Sequence, residues 1–372
     1  MCRLILFLFC LLNSLSLQAF HLDGRARPKK LNVHEPLPVQ DHFKQARFCL
    51  SSEQVVTEPL GLLQAAKDAL RYIKRHEARS IHLIDPVHFS SILSLDAVKK
   101  TLQFIAQTIE QDKKNGDFRI LKPSFLNKHF SSIAWKADTV GAQKHRIALP
   151  ADNKIRLTSY AVFSAQGSRE KTDVHNCALY TLLDDSIAKR FSKQEIVAGA
   201  LEQKSLRQKS RALAWVSREV LEDALMNGTV LVTFPDDGSC LLNVHLNNGY
   251  AYDKALADRT DQKRYWFFKD IGSKAHEAKS RVERIKNRKD VIFAGDLQNI
   301  GLGKVIALRH NNPKTNVPEL RLGILADAGS AFHNNLYQLD YFAGLLQGRD
   351  QLRSVMSERP SFTQACILYK YT

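Results

Sequence analysis

Beyond its amino-terminal residues, this 372-residue sequence holds no apolar run near the roughly 20 residues needed to cross a bilayer as a helix. Cysteine is sparse, 6 in all, and no Cys-x-x-Cys pair occurs, which excludes a compact metal or redox motif of that kind. The 13 histidines are scattered; there is no His-Glu-x-x-His and no cluster with metal-ligand spacing. A Gly-x-Ser-x-Gly elbow and a Gly-x-x-x-x-Gly-Lys phosphate loop are also missing. Gly301-Leu302-Gly303 reads as a turn, not as part of a nucleotide motif. Neither a metal nor a cofactor is expected.

What is there begins with a short basic start, Met1–Arg3, and an apolar run from Leu4 to Leu12. With the small residue Ala19 at a plausible cleavage point, residues 1–19 have the shape of a secretory signal peptide. An irregular leader follows over 20–60, interrupted by Pro28, Pro36, Pro38 and Pro59. Export is therefore expected. A lipid anchor at Cys10 is poorly supported, because bulky Phe9 precedes it. Cys49, Cys177, Cys240 and Cys366 would remain, and their spacing fixes no pairing; disulfides and free thiols both stay open. The net charge of +16, from 54 Lys+Arg against 38 Asp+Glu, favours anionic partners or simply keeps the surface soluble. The cations are spread along the chain and form no basic-aromatic stripe, so anionic wall polymer or lipid headgroups fit better than nucleic acid.

Helical spacing of apolar residues predicts helices over Leu62–His76 and Leu95–Lys113, and a shorter helical piece over Phe118–Phe130. Strand-like segments are Ile147–Leu149, Ile155–Phe163 and Leu179–Leu182, with helical patterns at Lys193–Ala200 and Arg218–Leu225. A hairpin follows: Thr229–Phe234, the turn Pro235-Asp236-Asp237-Gly238, and Cys240–Leu246. Asn248-Gly249 marks another turn before Tyr265–Phe268, and Gly272–Arg288 reads as a charged surface connection. The last third holds Val291–Ala294, Lys304–Arg309, Leu320–Leu325 and Tyr337–Phe342, a run of short strands that suggests a small closed barrel.

Three acids, Asp296, Asp327 and Asp340, lie beside strands in glycine-studded surroundings. Asp340 has large apolar neighbours, and a carboxyl that loses hydration there gains a raised pKa suited to general acid work. A second acid nearby would add to the effect by repulsion. Acids beside strands also commonly just cap turns. Tyr160, Tyr250, Tyr252, Trp266 and Phe268 are candidates for stacking on sugar rings, with core packing the competing role for each.

Several segments in order resemble the membrane-bound lytic transglycosylase A family. They are Leu157-Thr158-Ser159-Tyr160, Gly167-Ser168-Arg169, Ala178-Leu179-Tyr180, and Glu195 to Leu201 leading to Leu213-Ala214-Trp215. Pro235 to Gly238, Asn248-Gly249-Tyr250-Ala251-Tyr252 and Tyr265 to Phe268 continue the likeness. It ends in Asp296 with Leu302-Gly303, Asp327-Ala328-Gly329-Ser330-Ala331, and Asp340-Tyr341-Phe342-Ala343-Gly344, similar to the family's three-aspartate module.

The resemblance implies a mainly β fold: a double-psi β-barrel with peripheral helices and an inserted smaller β-domain. The barrel would take residues 61–160, with helical decoration, and 255–372; the insertion would take 161–254. The implied activity is cleavage of the MurNAc-β-1,4-GlcNAc bond of peptidoglycan without water, leaving 1,6-anhydromuramoyl ends. One aspartate protonates the leaving oxygen and then accepts the proton of the muramoyl C6 hydroxyl. The matching position is Asp340, supported by Asp327. Asp296, Tyr160, Ser168, Asn248, Tyr252, Gly329 and Ser330 match substrate-binding positions. The implied setting is the periplasm, with a possible association with the outer membrane, as a monomer whose partners are glycan strands and other cell-wall proteins.

The chain also departs from the pattern. Ser159-Tyr160-Ala161-Val162-Phe163 stands where the family has Gly-Tyr-Tyr-Glu-Pro, and Met226-Asn227-Gly228-Thr229 where it has Gln-Gly-Ser-Gly. These changes remove groove polar groups, so a non-catalytic relative that binds or scaffolds peptidoglycan stays open beside the enzyme.

Overall fold

The computed structural model describes residues 37–78, 81–253, 255–271, 275–329 and 332–371, without the side chains of 275–279. The expected signal peptide, residues 20–36 of the leader and Ser330 lie outside these residues. The chain forms a sheet-rich fold with ten α-helices among the described residues.

In chain order the strands are β1 (Phe43–Ala46), β2 (Gln54–Val55), β3 (Phe130–Trp135), β4 (Ile155–Gln166), β5 (Cys177–Leu182), β6 (Ser210–Val216) and β7 (Thr229–Thr233). They continue with β8 (Ser239–Asn247), β9 (Trp266–Asp270), β10 (Ile292–Ala294), β11 (Val305–Asn311), β12 (Pro318–Asp327), β13 (Gln338–Leu346) and β14 (Phe362–Lys370). The helices are α1 (Pro59–His76), α2 (Ile81–Ile84), α3 (Val87–Ser90), α4 (Leu95–Asp112), α5 (Pro123–His129), α6 (Thr139–Lys144), α7 (Lys193–Val197), α8 (Arg218–Asn227), α9 (Ala275–Asn287) and α10 (Gly348–Ser357).

Twelve strands share one sheet, and β5 and β6 form a separate antiparallel pair. Because β14 pairs with β11 and also with the start of β4, hydrogen bonding closes a ring of six strands: β14, β11, β12, β10, β13 and β4. From that ring β4 runs on past its β13 partner and pairs in parallel with β7, which carries the sheet into β8 and β9.

Two apolar cores follow from this layout. The larger one fills the ring and its helices. There α1 buries Leu62, Ala66, Ala69 and Ile73, and α4 buries Val98, Leu102, Ile105 and Ile109, the stripes that the spacing predicts. Pro59 opens α1 at a position that needs no N–H partner, and Ser94 caps α4 through the Ala97 N–H. The ring packs closely: a Cβ on Gly323 would lie 2.4 Å from Phe293, so β12 admits only glycine there. The second core gathers Cys177–Tyr180, Leu221, Val230, Val232 and Leu242 with Tyr265–Phe268.

Four expectations need correction. The leader is not irregular throughout: residues 37–60 hold β1, β2 and the start of α1. Ile147–Leu149 forms no strand; it is irregular chain after α6. The helical piece expected over Phe118–Phe130 ends at His129, since Phe130 begins β3. The charged segment 272–288 is more than a surface connection: α9 brings Ile285 into the main core, and Arg288 just beyond it is 1% exposed. Of the two roles left open for Trp266 and Phe268, the structure has core packing, leaving Tyr250 and Tyr252 as the exposed rings of that set. Cys49, Cys177, Cys240 and Cys366 are free thiols.

Candidate active site

The ring places the acids. On β4 and β13, which run parallel, Arg156 lies beside Gln338, Thr158 beside Asp340, and Tyr160 beside Phe342. Alternate residues of a strand share a face, so these six side chains form one surface. On the other side of β13, β10 sets Ala294 opposite both Asp340 and Asp327. Two carboxylates from β12 and β13 thus flank a residue whose side chain is a single methyl group.

Asp340 is half-buried. Its Oδ1 accepts a hydrogen bond from the Thr158 hydroxyl and another from Gln338 Nε2 at 3.0 Å, while Gln338 Nε2 also meets Thr158 Oγ1 at 3.0 Å. Both donors converge on one oxygen, and no donor meets Oδ2 among the described residues. Burial pushes the Asp340 carboxyl up to about 6, against the opposing pull of the Gln338 hydrogen bond and the Arg156 charge. The carboxyl therefore carries a proton for part of the time near neutrality.

Asp327 is 3% exposed. Its Oδ2 accepts from the Tyr160 hydroxyl at 2.8 Å and its Oδ1 from the Ala328 N–H at 2.8 Å. Burial, then the Asp327 charge, raise the Tyr160 phenol well above its ordinary range, so it stays a donor; the Asp340 charge adds to this. The Tyr160 ring leans on Phe342 with centroids 5.1 Å apart. The third acid has a different surrounding. Asp296, 1% exposed, accepts from Asn299 Nδ2 at 2.7 Å, from the Asn299 N–H at 3.2 Å and from the Asn335 N–H at 2.9 Å. Burial lifts it to about 6 as well. Its oxygens hold the 296–299 turn against the approach to β13.

The other sequence candidates separate. Gly329 lies two residues past Asp327, half-exposed, and Ser330 falls outside the described residues. Ser168 bridges to Trp215 through both backbone groups, and its Oγ accepts from the Glu170 N–H at 3.1 Å. Asn248 is 1% exposed: its Nδ2 donates to the carbonyls of Phe191 and Lys263, both at 2.9 Å, and its Oδ1 accepts from the Tyr265 N–H at 2.8 Å. This amide serves the fold. Tyr252 stays 37% exposed, with the Arg264 guanidinium 4.9 Å from its ring centre. Phe163, which replaces a groove residue of the resembled pattern, packs with Ala161, Ala343 and Leu346 against α10.

Gln338 and Arg156 are neighbours of Asp340 that lie outside the motifs, and Thr158 lies within one without a role assigned to it there. Gln338 was within reach, since a residue two places from Asp340 on a strand must share its face. Thr158 and Arg156 become visible only once β4 and β13 are known to pair. Among the described residues no group of three or more His, Cys, Asp or Glu side chains is placed to hold a metal.

No family model and no curated protein matches the sequence. Solved structures do match the fold. One, described as Escherichia coli MltA with bound chitohexaose, is 15% identical, with 94% of this chain and 99% of that one covered at a TM-score of 0.54. A membrane-bound lytic murein transglycosylase from Agrobacterium tumefaciens is 14% identical, with 86% and 97% covered and a TM-score of 0.52. MltA from Neisseria gonorrhoeae is 13% identical, with 82% and 87% covered and a TM-score of 0.50. At such identities the likeness is one of fold, and it extends over most of each chain.

Proposed function

We propose that this protein is a peptidoglycan lytic transglycosylase with Asp340 as its acid and then its base. The observation that carries the reading is the Asp340 carboxyl, half-buried and raised to about 6, with two donors on Oδ1 and none on Oδ2. A proton on Oδ2 would pass to the glycosidic oxygen as the MurNAc–GlcNAc bond breaks. The resulting carboxylate would take the proton of the muramoyl C6 hydroxyl as that oxygen closes on C1. One carboxyl suffices because the nucleophile is tethered to the sugar, in contrast to glycosidases that need two opposed carboxyls. Asp327, with its charge held by Tyr160, would face the positive charge that develops on the ring.

In this reading the six-strand ring is a double-psi β-barrel, residues 161–254 are its insertion, and the glycan lies across the face bearing Thr158, Tyr160 and Asp340. A solved structure described as a membrane-bound lytic murein transglycosylase and one described with bound chitohexaose share the fold, which supports the substrate class and an exported, periplasmic setting. One observation favours a binding-only relative: the Asn248 amide, a sequence candidate for gripping sugar, is committed to backbone.

The test is digestion of purified peptidoglycan by the mature protein and by Asp340→Ala, with products identified by mass spectrometry. Anhydromuramoyl products that vanish in the variant support the proposal. Reducing-end products would point to hydrolysis. Absence of products from both proteins, with glycan still retained by both, would favour the binding-only relative.

A further inference from the structure

The Asn248–Asp253 loop carries a feature that neutral sugar recognition leaves unexplained. The Arg264 guanidinium lies between two rings, 4.9 Å from the centre of Tyr252 and 5.6 Å from that of Trp266. It is half-buried, and burial draws it below its usual range. No carboxylate pairs with it among the described residues. Two acids on the chain between this loop and Arg264 are turned onto neighbouring backbone: Asp253 accepts the Ala255 N–H at 2.9 Å, and Asp258 the Thr260 N–H at 2.7 Å. Exposed Lys189 lies along Gly249, whose φ of +84° brings the loop backbone against the lysine stem. A half-buried guanidinium without a carboxylate partner keeps its donors free for an anion.

Strand register relates this loop to the acids. Phe163 of β4 pairs with Val230 of β7, and Thr229, just before it, pairs with Asn243 of β8. From Asn243 to Asn247, β8 runs antiparallel to β4, back toward the end that bears Thr158 and Tyr160. The Asn248 turn therefore leaves the sheet on the side of Asp340's strand partner. Tyr252, half-exposed above Arg264, offers a ring face for a sugar at the same place.

We infer that Arg264, stacked against Tyr252, is a binding site for a carboxylate carried by the glycan strand, with Lys189, which touches the same loop at Gly249, adding positive charge. Resting on the proposed function, this names the part of the substrate that the loop recognises. A strand of N-acetylglucosamine alone is neutral. The anionic groups of a muramoyl strand are the lactyl carboxylate where it is free or, where peptides are joined to it as an amide, the carboxylates of the stem. A planar guanidinium held between rings is already ordered for a two-point contact with such a group.

The experiment measures binding by titration calorimetry in an Asp340→Asn background, so that no ligand is consumed. The ligands are an N-acetylglucosamine hexamer, muramoyl strands with stem peptides, and strands stripped of peptide by an amidase, which retain the lactyl carboxylate. Arg264→Gln is expected to weaken at least one of the two anionic strand preparations about tenfold and the neutral hexamer less than about twofold. Lys189→Gln, on an exposed side chain with little bearing on folding, is expected to act in the same direction by about threefold. A loss confined to stripped strands assigns the contact to the lactyl carboxylate, which is free only there; a loss confined to stem-bearing strands assigns it to the stem carboxylates; equal losses on both show a site that takes either carboxylate. Equal losses on neutral and anionic ligands, or no loss on any, would overturn the inference. If the parent protein takes none of the three ligands, the peptidoglycan reading itself fails, and this inference with it.

Discussion

The acid cluster on the ring and the Asn248–Arg264 region are built on opposite principles. On the ring the polar groups answer one another from neighbouring strands: Thr158 and Gln338 hold Asp340, and Tyr160 holds Asp327. Around Asn248 the amide is spent on backbone, while Arg264 lies against two aromatic rings and, among the described residues, pairs with no carboxylate. A group that must transfer a proton at a fixed place benefits from strand registration, which leaves little freedom. A group that only recognises charge can sit under a loop. The buried cores differ in the same sense. Near the site, charge is a burden on the fold, because Asp340 and Asp296 are both raised by burial. In the second core charge is paired: Lys193 Nζ sits 2.7 and 2.8 Å from the Glu222 oxygens, with both side chains almost fully buried.

The sharpest way to break the comparison is Asp340→Asn, which removes the proton but keeps an acceptor for Thr158 and Gln338. Release of anhydromuramoyl products is expected to fall about a thousandfold or more, with the affinity for glycan retained. Next comes Lys193→Met, which leaves Glu222 buried with Arg218 as its remaining ion-pair partner. The expected loss is about 3 kcal/mol in denaturant unfolding followed by Trp266 fluorescence, whereas the same substitution at exposed Lys189 should change little. Tyr160→Phe takes one hydrogen bond from a buried carboxylate, and kcat is expected to drop about tenfold with KM nearly unchanged.

The smallest expected effect concerns pH and stability. Burial raises the folded Asp340 carboxyl to about 6, so the fold favours its protonated form. The stability this group lends is complete below about pH 4 and is lost as pH rises through about 6. Asp340→Asn should therefore melt about 2–4 °C above the parent at pH 7.5, and the gap should close near pH 4.5. Scanning calorimetry at the two pH values checks this. The activity of the parent should fall over the same interval, since the acid must begin protonated.

The sequence shows some of these features plainly and hides others for physical reasons. The helices α1 and α4 announce themselves by apolar spacing, and the two strands carrying Thr158 and Asp340 by their β-branched and aromatic residues. The strand β14 went unread, although Thr363, Ala365 and Ile367 alternate inward along it. Its part in closing the ring depends on pairing with residues far away in the chain, which local pattern does not encode. Asn248 shows the limit of motif reading: an amide beside a glycine turn can face a sugar or a backbone, and only the packing of Phe191 and Lys263 decides. Arg264 was invisible for the same reason, since its importance lies in what is missing around it.

The central claim, that Asp340 serves a water-free cleavage, is tested most directly by digesting peptidoglycan in water enriched in heavy oxygen. The account predicts muramoyl ends that carry no heavy oxygen, and no such ends from Asp340→Asn. Heavy oxygen at C1 of the released muramoyl ends, or undiminished cleavage by Asp340→Asn, would contradict it.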